Sequence, residues 1–188
     1  MLELKDGLIL YHGSYCQVSE PDLERCARRK DFGQGFYLTT SRKQAESFLR
    51  TSLAKAKASG KIEESQNYGY ISTFEVKLKT KLEVHVFDDA DVEWLRCIAA
   101  HRKKKLFTKV EMDMIKYDVI VGKIADDATN ATLTAYLGGA FGAIGSQEAD
   151  EFCIKQLLPN KLKNQYCFKT ETALSCLNFM EGEKIWLR

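Results

Sequence analysis

The 188-residue chain is 45% hydrophobic and 29% charged, with a formal net charge of +2, the balance of an ordinary globular protein. Near-neutrality excludes a global electrostatic pull toward nucleic acid, and no apolar run approaches the roughly 20 residues that a membrane span needs. The first residues, Met1-Leu2-Glu3-Leu4-Lys5, lack a signal-peptide core, so the sequence predicts one cytoplasmic domain over 1–188 with no membrane partner.

Leu8 to Tyr11 reads as a buried strand that stops at the polar bend His12-Gly13-Ser14. A long polar connection, Tyr15 to Gln34, carries Arg25, Arg28, Arg29, Lys30 and Asp31, with a helical turn after Glu20-Pro21-Asp22. The basic cluster suits either a solvated loop face or an anionic contact. Gly35 to Thr39 is a second strand. Ser41 then caps a helix with Ala45, Phe48, Leu49, Leu53 and Ala56 at helical spacing, and Gly60 ends it. Tyr70 to Leu78 and Leu82 to Phe87 alternate as half-buried strands, which makes His85 a strand residue rather than a ligand. Asp91 to Arg102 has acid first and base last, as a helix dipole prefers. Its end, His101 to Lys105, reads as a solvated helix terminus or a docking patch.

Tyr117 to Gly122 is a buried-type strand, followed by a turn at Asp126-Asp127. Asn130 to Leu137 forms a short helix ended by Gly138-Gly139, and Ser146 caps a helix running to Leu158 and stopped by Pro159. Gln165 to Thr170 is a strand, Glu171 to Phe179 a short helix, and Lys184 to Leu187 a last strand. Strands and short helices mix without a βαβ rhythm, which predicts an α+β fold around largely antiparallel sheets. The six cysteines include no C-x-x-C pair. Cys97, Cys153, Cys167 and Cys176 sit in apolar or amphipathic patterns and read as reduced core residues, a zinc or disulfide set being the alternative.

Phosphate-binding P-loop, dinucleotide-binding and zinc-protease motifs are absent. Gly33-Gln34-Gly35 precedes a strand, so no helix N-terminus stands there to hold phosphate. The marked residues are His12 at a strand end, a Gly-x-Gly turn feeding Phe36-Tyr37, and Phe48 eleven residues beyond Tyr37. Aromatic faces on neighbouring elements attract a flat cationic ring by about 0.5–2 kcal/mol when desolvated. A glycine at 13 leaves backbone N–H and C=O groups reachable by a carboxamide. Plain core packing accounts for the same aromatics equally well.

These stretches resemble the ADP-ribosyltransferase superfamily, on its diphtheria-toxin and poly(ADP-ribose) polymerase side. The likeness is carried by Tyr11-His12-Gly13-Ser14, by Gly35-Phe36-Tyr37, and by the aromatic eleven residues after Tyr37. That aromatic is usually tyrosine in the superfamily and is Phe48 here. The chain is also similar to a bacterial group of uncharacterised ADP-ribosyltransferase-like proteins (DUF3990-like), through Arg29 to Thr40 and Gln165-Tyr166-Cys167-Phe168-Lys169-Thr170. The resemblance implies split antiparallel sheets flanked by short helices, and NAD as substrate. The acceptor it implies is an unidentified protein or nucleic acid, in a toxin-like effector with a possible cognate inhibitor or antitoxin. A non-catalytic NAD or ADP-ribose binding module and an NAD glycohydrolase are the alternatives on the same scaffold.

In that comparison His12, Tyr37 and Gln165 are the catalytic positions. Gly13, Ser14, Asp31, Gly35 and Phe48 belong to the NAD-binding set, and no metal is expected. His12 would hold a ribose hydroxyl, Gly13 the nicotinamide amide, and Tyr37 and Phe48 the ring. The superfamily usually opens the late strand with glutamate, whose charge stabilises the oxocarbenium-like state; here the segment reads Asn164-Gln165-Tyr166. Loss of such a partner costs about 2.7–4 kcal/mol. Single ADP-ribose transfer is therefore expected over chain elongation, with Asp31, Asp126 or Glu151 as replacement carboxylates. Gln165→Glu is expected to raise NAD hydrolysis.

Overall fold

The first strand does not stop at the polar bend. In the structure, a computed structural model that describes residues 2–125, 127–158 and 162–187 and no side chains at 127 and 128, β1 runs Ile9–Ser14. It continues because Tyr11 to Ser14 pair antiparallel with β3, Tyr68–Val76, in the register His12↔Ser72 and Ser14↔Tyr70. The His-Gly-Ser motif is therefore held within a sheet. β7, Leu177–Trp186, pairs on the other side of β3, with Met180 the extra residue of a bulge opposite Thr73 and Phe74. Glu171 to Phe179 is not one helix: α6 spans only Glu171–Leu174, and the ten-residue β7 follows. Of the strand expected at Lys184 to Leu187, Lys184 to Trp186 form the far part of β7. Pairing along all of β3 outweighs the weak helical spacing read from 171–179.

The second sheet has the order β2-β6-β5-β4, with β2 Phe36–Leu38, β4 Val84–Val86, β5 Val119–Lys123 and β6 Asn164–Phe168. Its pairs are antiparallel except β4 with β5. The two sheets meet where Tyr11 and Thr39 exchange backbone bonds of 2.8 and 3.0 Å. Thr39, fully buried, also donates its hydroxyl to the Asn164 carbonyl and accepts from Ser41 N–H. One side chain thus ties β2, β6 and the following helix together.

Among the described residues six helices complete an α+β fold with two mostly antiparallel sheets. α1, Arg42–Ala58, starts at its Ser41 cap, and α2, Val92–Arg102, at Asp91, whose carboxylate accepts from Trp94 N–H. α3, Thr108–Asp113, begins after Phe107 in left-handed backbone (φ 49°) and has no buried residue. No apolar periodicity announces it. α4, Asp127–Leu137, starts earlier than expected, and α5, Gln147–Leu157, follows its Ser146 cap. Asp126 and the Pro159 expected to stop α5 lie outside the described residues. A buried Asp150 joins α2, α4 and α5 by accepting from the Tyr136 hydroxyl and, at 2.8 Å, from Arg96.

Strand alternation in the second sheet divides the core packed on it into two clusters, beside a third of Ala45, Leu49 and Ile71 between α1 and β3. Phe36, Leu38, Tyr166 and Phe168 face Leu10 and Phe74 of the first sheet. Cys167 and Ile120 face the opposite way, against Phe32 and the α2 residues Trp94, Leu95 and Ile98. Four of the six free cysteines, Cys97, Cys153, Cys167 and Cys176, are buried core residues. No described helix is long and apolar enough to cross a membrane.

Candidate active site

β1 and β2 bring the two sequence motifs together. The His12 ring lies 4.4 Å from the Phe36 ring, and its Nδ1 is 2.8 Å from the Tyr37 carbonyl oxygen. A carbonyl only accepts, so Nδ1 carries the hydrogen and Nε2 keeps its lone pair. Burial lowers the His12 pKa, the Tyr37 carbonyl raises it, and the Lys30 charge lowers it further. The result is a neutral imidazole with a fixed tautomer.

Two features meet at Gly13. A Cβ there would stand 1.8 Å from the Ala45 carbonyl oxygen, so only glycine lets α1 lie this close on β1. Gly69 on β3 is similarly close to the Leu49 side chain (2.8 Å from a built Cβ), and the two glycines seat the same helix. The backbone direction of Gly13 is the second feature. Tyr11 points its N–H and C=O away from β3 to Thr39. Gly13, two residues on, turns the same way past that bridge by strand alternation. Among the described residues no backbone partner across the gap receives its groups.

Tyr37 packs its ring against the core around Phe32. Its hydroxyl accepts from Phe32 N–H at 2.9 Å and donates to the Gly33 carbonyl at 2.8 Å. Burial pushes this phenol well above its usual pKa of 10. Phe48 is half-buried on α1 and belongs to none of the core clusters. The two rings do not touch. Ser14 is buried, with only a long 4.0 Å contact from Oγ to Cys16 Sγ. At Gly35 a Cβ would lie 2.5 Å from Cys167 Sγ, which gives that glycine a packing reason.

Tyr37 pairs with Cys167, so Gln165, two residues along β6, shares the face of the sheet on which Tyr37 lies. Gln165 is only 4% exposed, and its Nε2 donates to Asp31 Oδ2 at 2.8 Å and to the Lys123 carbonyl at 3.1 Å. Asp31, also buried, accepts from Arg102 Nε and Nη2 at 3.0 and 2.6 Å and from Ala125 N–H at 3.2 Å. Of the carboxylates considered from sequence, Asp31 is thus bonded directly to Gln165. Glu151 is exposed on α5 and bonded to Gln147, and Asp126 lies outside the described residues.

Arg102 and the Lys123 carbonyl were missed by sequence reasoning. Within the basic run at 101–105, Arg102 turns inward to Asp31, His101 bonds the Cys97 carbonyl, and Lys103 bonds the Leu137 carbonyl. An acid-to-base ion pair 71 residues apart leaves no local signal. Of the other cluster, Arg25 pairs with Asp22, and Arg28 lines a cleft of about 780 Å³ with Phe32, Gly33, His101 and Lys169. A second cleft, about 540 Å³, is lined by Asp88, Asp89, Lys123 and Asn164. Neither cleft is lined by His12, Gly13, Tyr37, Phe48 or Gln165.

The model of a family described as "Protein of unknown function (DUF3990)" matches residues 8–179. The chain belongs to that family. The match runs from β1 into β7 and takes in His12, Tyr37 and Gln165 together with Asp31 and Arg102. The family description carries no activity. No curated protein matches the chain.

Proposed function

We propose that this member of the DUF3990 family is an NAD-dependent mono-ADP-ribosyltransferase. The observation that carries the reading is the pairing of a neutral His12, fixed by the Tyr37 carbonyl, with outward-facing backbone groups at Gly13. His12 Nε2 suits acceptance of a ribose hydroxyl, and an N–H beside a C=O suits both ends of a nicotinamide carboxamide. Phe48, uncommitted to the core, supplies an aromatic face for the pyridinium. In the reaction the C1′–N bond breaks with its electron pair returning to nicotinamide, which leaves neutral. A nucleophile on the macromolecular acceptor, protein or nucleic acid, then bonds C1′ and loses its proton. Without a glutamate at position 165, one transfer is favoured over chain elongation. Action as a toxin-like effector held by a cognate inhibitor is consistent with such chemistry.

The reading is tested by incubating the protein with NAD labelled in its adenylate and with cell lysate. Label is expected on macromolecules, with release of nicotinamide, and is expected to vanish in His12→Ala and Tyr37→Ala proteins that still fold. Label surviving both substitutions removes these residues from the site. Nicotinamide release without labelled acceptor identifies a glycohydrolase. One observation favours a non-catalytic binding module: Gln165 carries no charge, and its amide hydrogens are already bonded within the protein. NAD that raises the melting temperature without being consumed establishes that module.

A further inference from the structure

A carboxamide has a donor end and an acceptor end, and whatever holds one decides which the other meets. Both Gln165 N–H groups are held inside the protein, by Asp31 Oδ2 at 2.8 Å and the Lys123 carbonyl at 3.1 Å. A flipped amide would turn its oxygen toward a carboxylate and a carbonyl, two acceptors, and lose both bonds. Asp31 has no freedom to follow such a flip. Arg102 holds Oδ1 through two nitrogens, while Ala125 N–H donates to Oδ2. Arg102 is itself fixed by the Ala125 carbonyl at 3.1 Å and Asn130 Oδ1 at 3.1 Å.

We propose that Asp31 is the positioning residue for Gln165, locking its amide so that the acceptor oxygen Oε1 is the group offered to the ligand. The site then selects a ligand that donates hydroxyl hydrogens, such as a ribose diol, over one that presents carbonyl or phosphate oxygens. This rests on the NAD reading for the identity of the diol. The negative charge of Asp31 polarises the amide through the hydrogen bond and strengthens Oε1 as an acceptor. It also changes the expectation for Gln165→Glu. That substitution sets a second carboxylate about 2.8 Å from the first, where like charges oppose one another.

The test is a cycle of wild type, Asp31→Asn, Gln165→Glu and the double variant, each followed by nicotinamide release from NAD and by thermal unfolding. In Asp31→Asn, Arg102 keeps the remaining oxygen, so the new amide nitrogen faces Gln165 and forces its oxygen inward. A loss of tenfold or more in kcat/KM is expected. Gln165→Glu is expected to lose both turnover and melting temperature. The double variant exchanges amide and carboxylate, and is expected to regain at least tenfold in kcat/KM over Gln165→Glu. Additive losses across the cycle, or changes in melting temperature with kcat/KM intact, overturn the proposal in favour of a purely structural lock.

If no variant, wild type included, binds or consumes NAD, the NAD reading fails, and the positioning is read by NMR instead. The Gln165 side-chain NH₂ protons are then expected to be protected from exchange and to shift in Asp31→Asn. Unprotected or unshifted signals overturn it.

Discussion

Gly13 is where packing and the proposed carboxamide recognition compete for one residue. Its missing Cβ admits the α1 backbone, and its peptide groups turn to the open side of β1. Gly13→Ala places a methyl 1.8 Å from the Ala45 carbonyl oxygen, and a backbone atom inside a helix does not yield like a side-chain tip. Overpacking of this kind costs about 1–3 kcal/mol, which for a protein of this size lowers the melting temperature by roughly 2–12 °C. A thermal scan checks it, and an unchanged melting point would mean that α1 slides freely over β1. Ser14 and Gly35 belong to the same motifs but carry packing duties only in the contacts described, against Cys16 and Cys167.

At the scale of elements, the Asp31–Arg102 pair joins the loop before β2 to the end of α2, and through Gln165 to β6. Removing the cation leaves a buried carboxylate with two neutral donors among the described residues, Ala125 N–H and Gln165 Nε2. Breaking a buried pair costs about 3–5 kcal/mol. Arg102→Ala is therefore expected to lower stability by roughly that amount and to loosen loop 31–33, exposing the Tyr37 hydroxyl that bonds Phe32 and Gly33. Chemical denaturation measures the first effect, and hydrogen exchange at Phe32 N–H the second. A loss below about 1 kcal/mol would assign Arg102 to the solvated helix end that its sequence context suggests.

This pair also marks the limit of what the sequence discloses. Helices with a side-chain cap were legible, because Ser41, Asp91 and Ser146 satisfy the first N–H groups by local chemistry. The two motifs that the sequence marked, around His12 and Tyr37, lie side by side because β1 and β2 are short neighbours joined at Tyr11 and Thr39. α3 stayed hidden because its start depends on left-handed backbone at Phe107, a bulky residue that gives no such signal. β7 was divided because its alternation is interrupted by the bulge at Met180, and only pairing with β3 makes it one strand. Asp31 was named as one of three carboxylates, and the choice among them depended on a hydrogen bond spanning 134 residues. Contacts of that separation are fixed by topology, on which local pattern is silent.

At the scale of the whole molecule, the three histidines act together. Burial lowers the pKa of His12, of His85 and of His101, each from 6.5. For His12 the Lys30 charge adds to burial against the Tyr37 carbonyl. His85 is packed between Phe87 and Tyr117 with its buried Nε2 unbonded, and Lys116 lowers its pKa while Glu93 and Asp91 raise it. His101 bonds the Cys97 carbonyl, with Lys169 lowering its pKa and Glu111 and Asp31 raising it. A folded-state pKa below the unfolded value means that the unfolded chain takes up protons first as pH falls. Stability is thus complete above about pH 6.5 and declines below it until each folded-state pKa is passed. The melting temperature is expected to drop between pH 7 and pH 5. On the NAD reading, binding to the folded protein should fall at lower pH than stability begins to, through the lowered folded-state pKa of His12, because a protonated His12 loses its acceptor and turns a positive charge toward a cationic ring. The two effects separate in His12→Gln, whose amide both donates and accepts but does not titrate. That variant is expected to flatten the pH dependence of binding while keeping the stability slope contributed by His85 and His101. A binding profile that still falls with acid in His12→Gln would locate the titrating group elsewhere and remove the imidazole from ribose recognition.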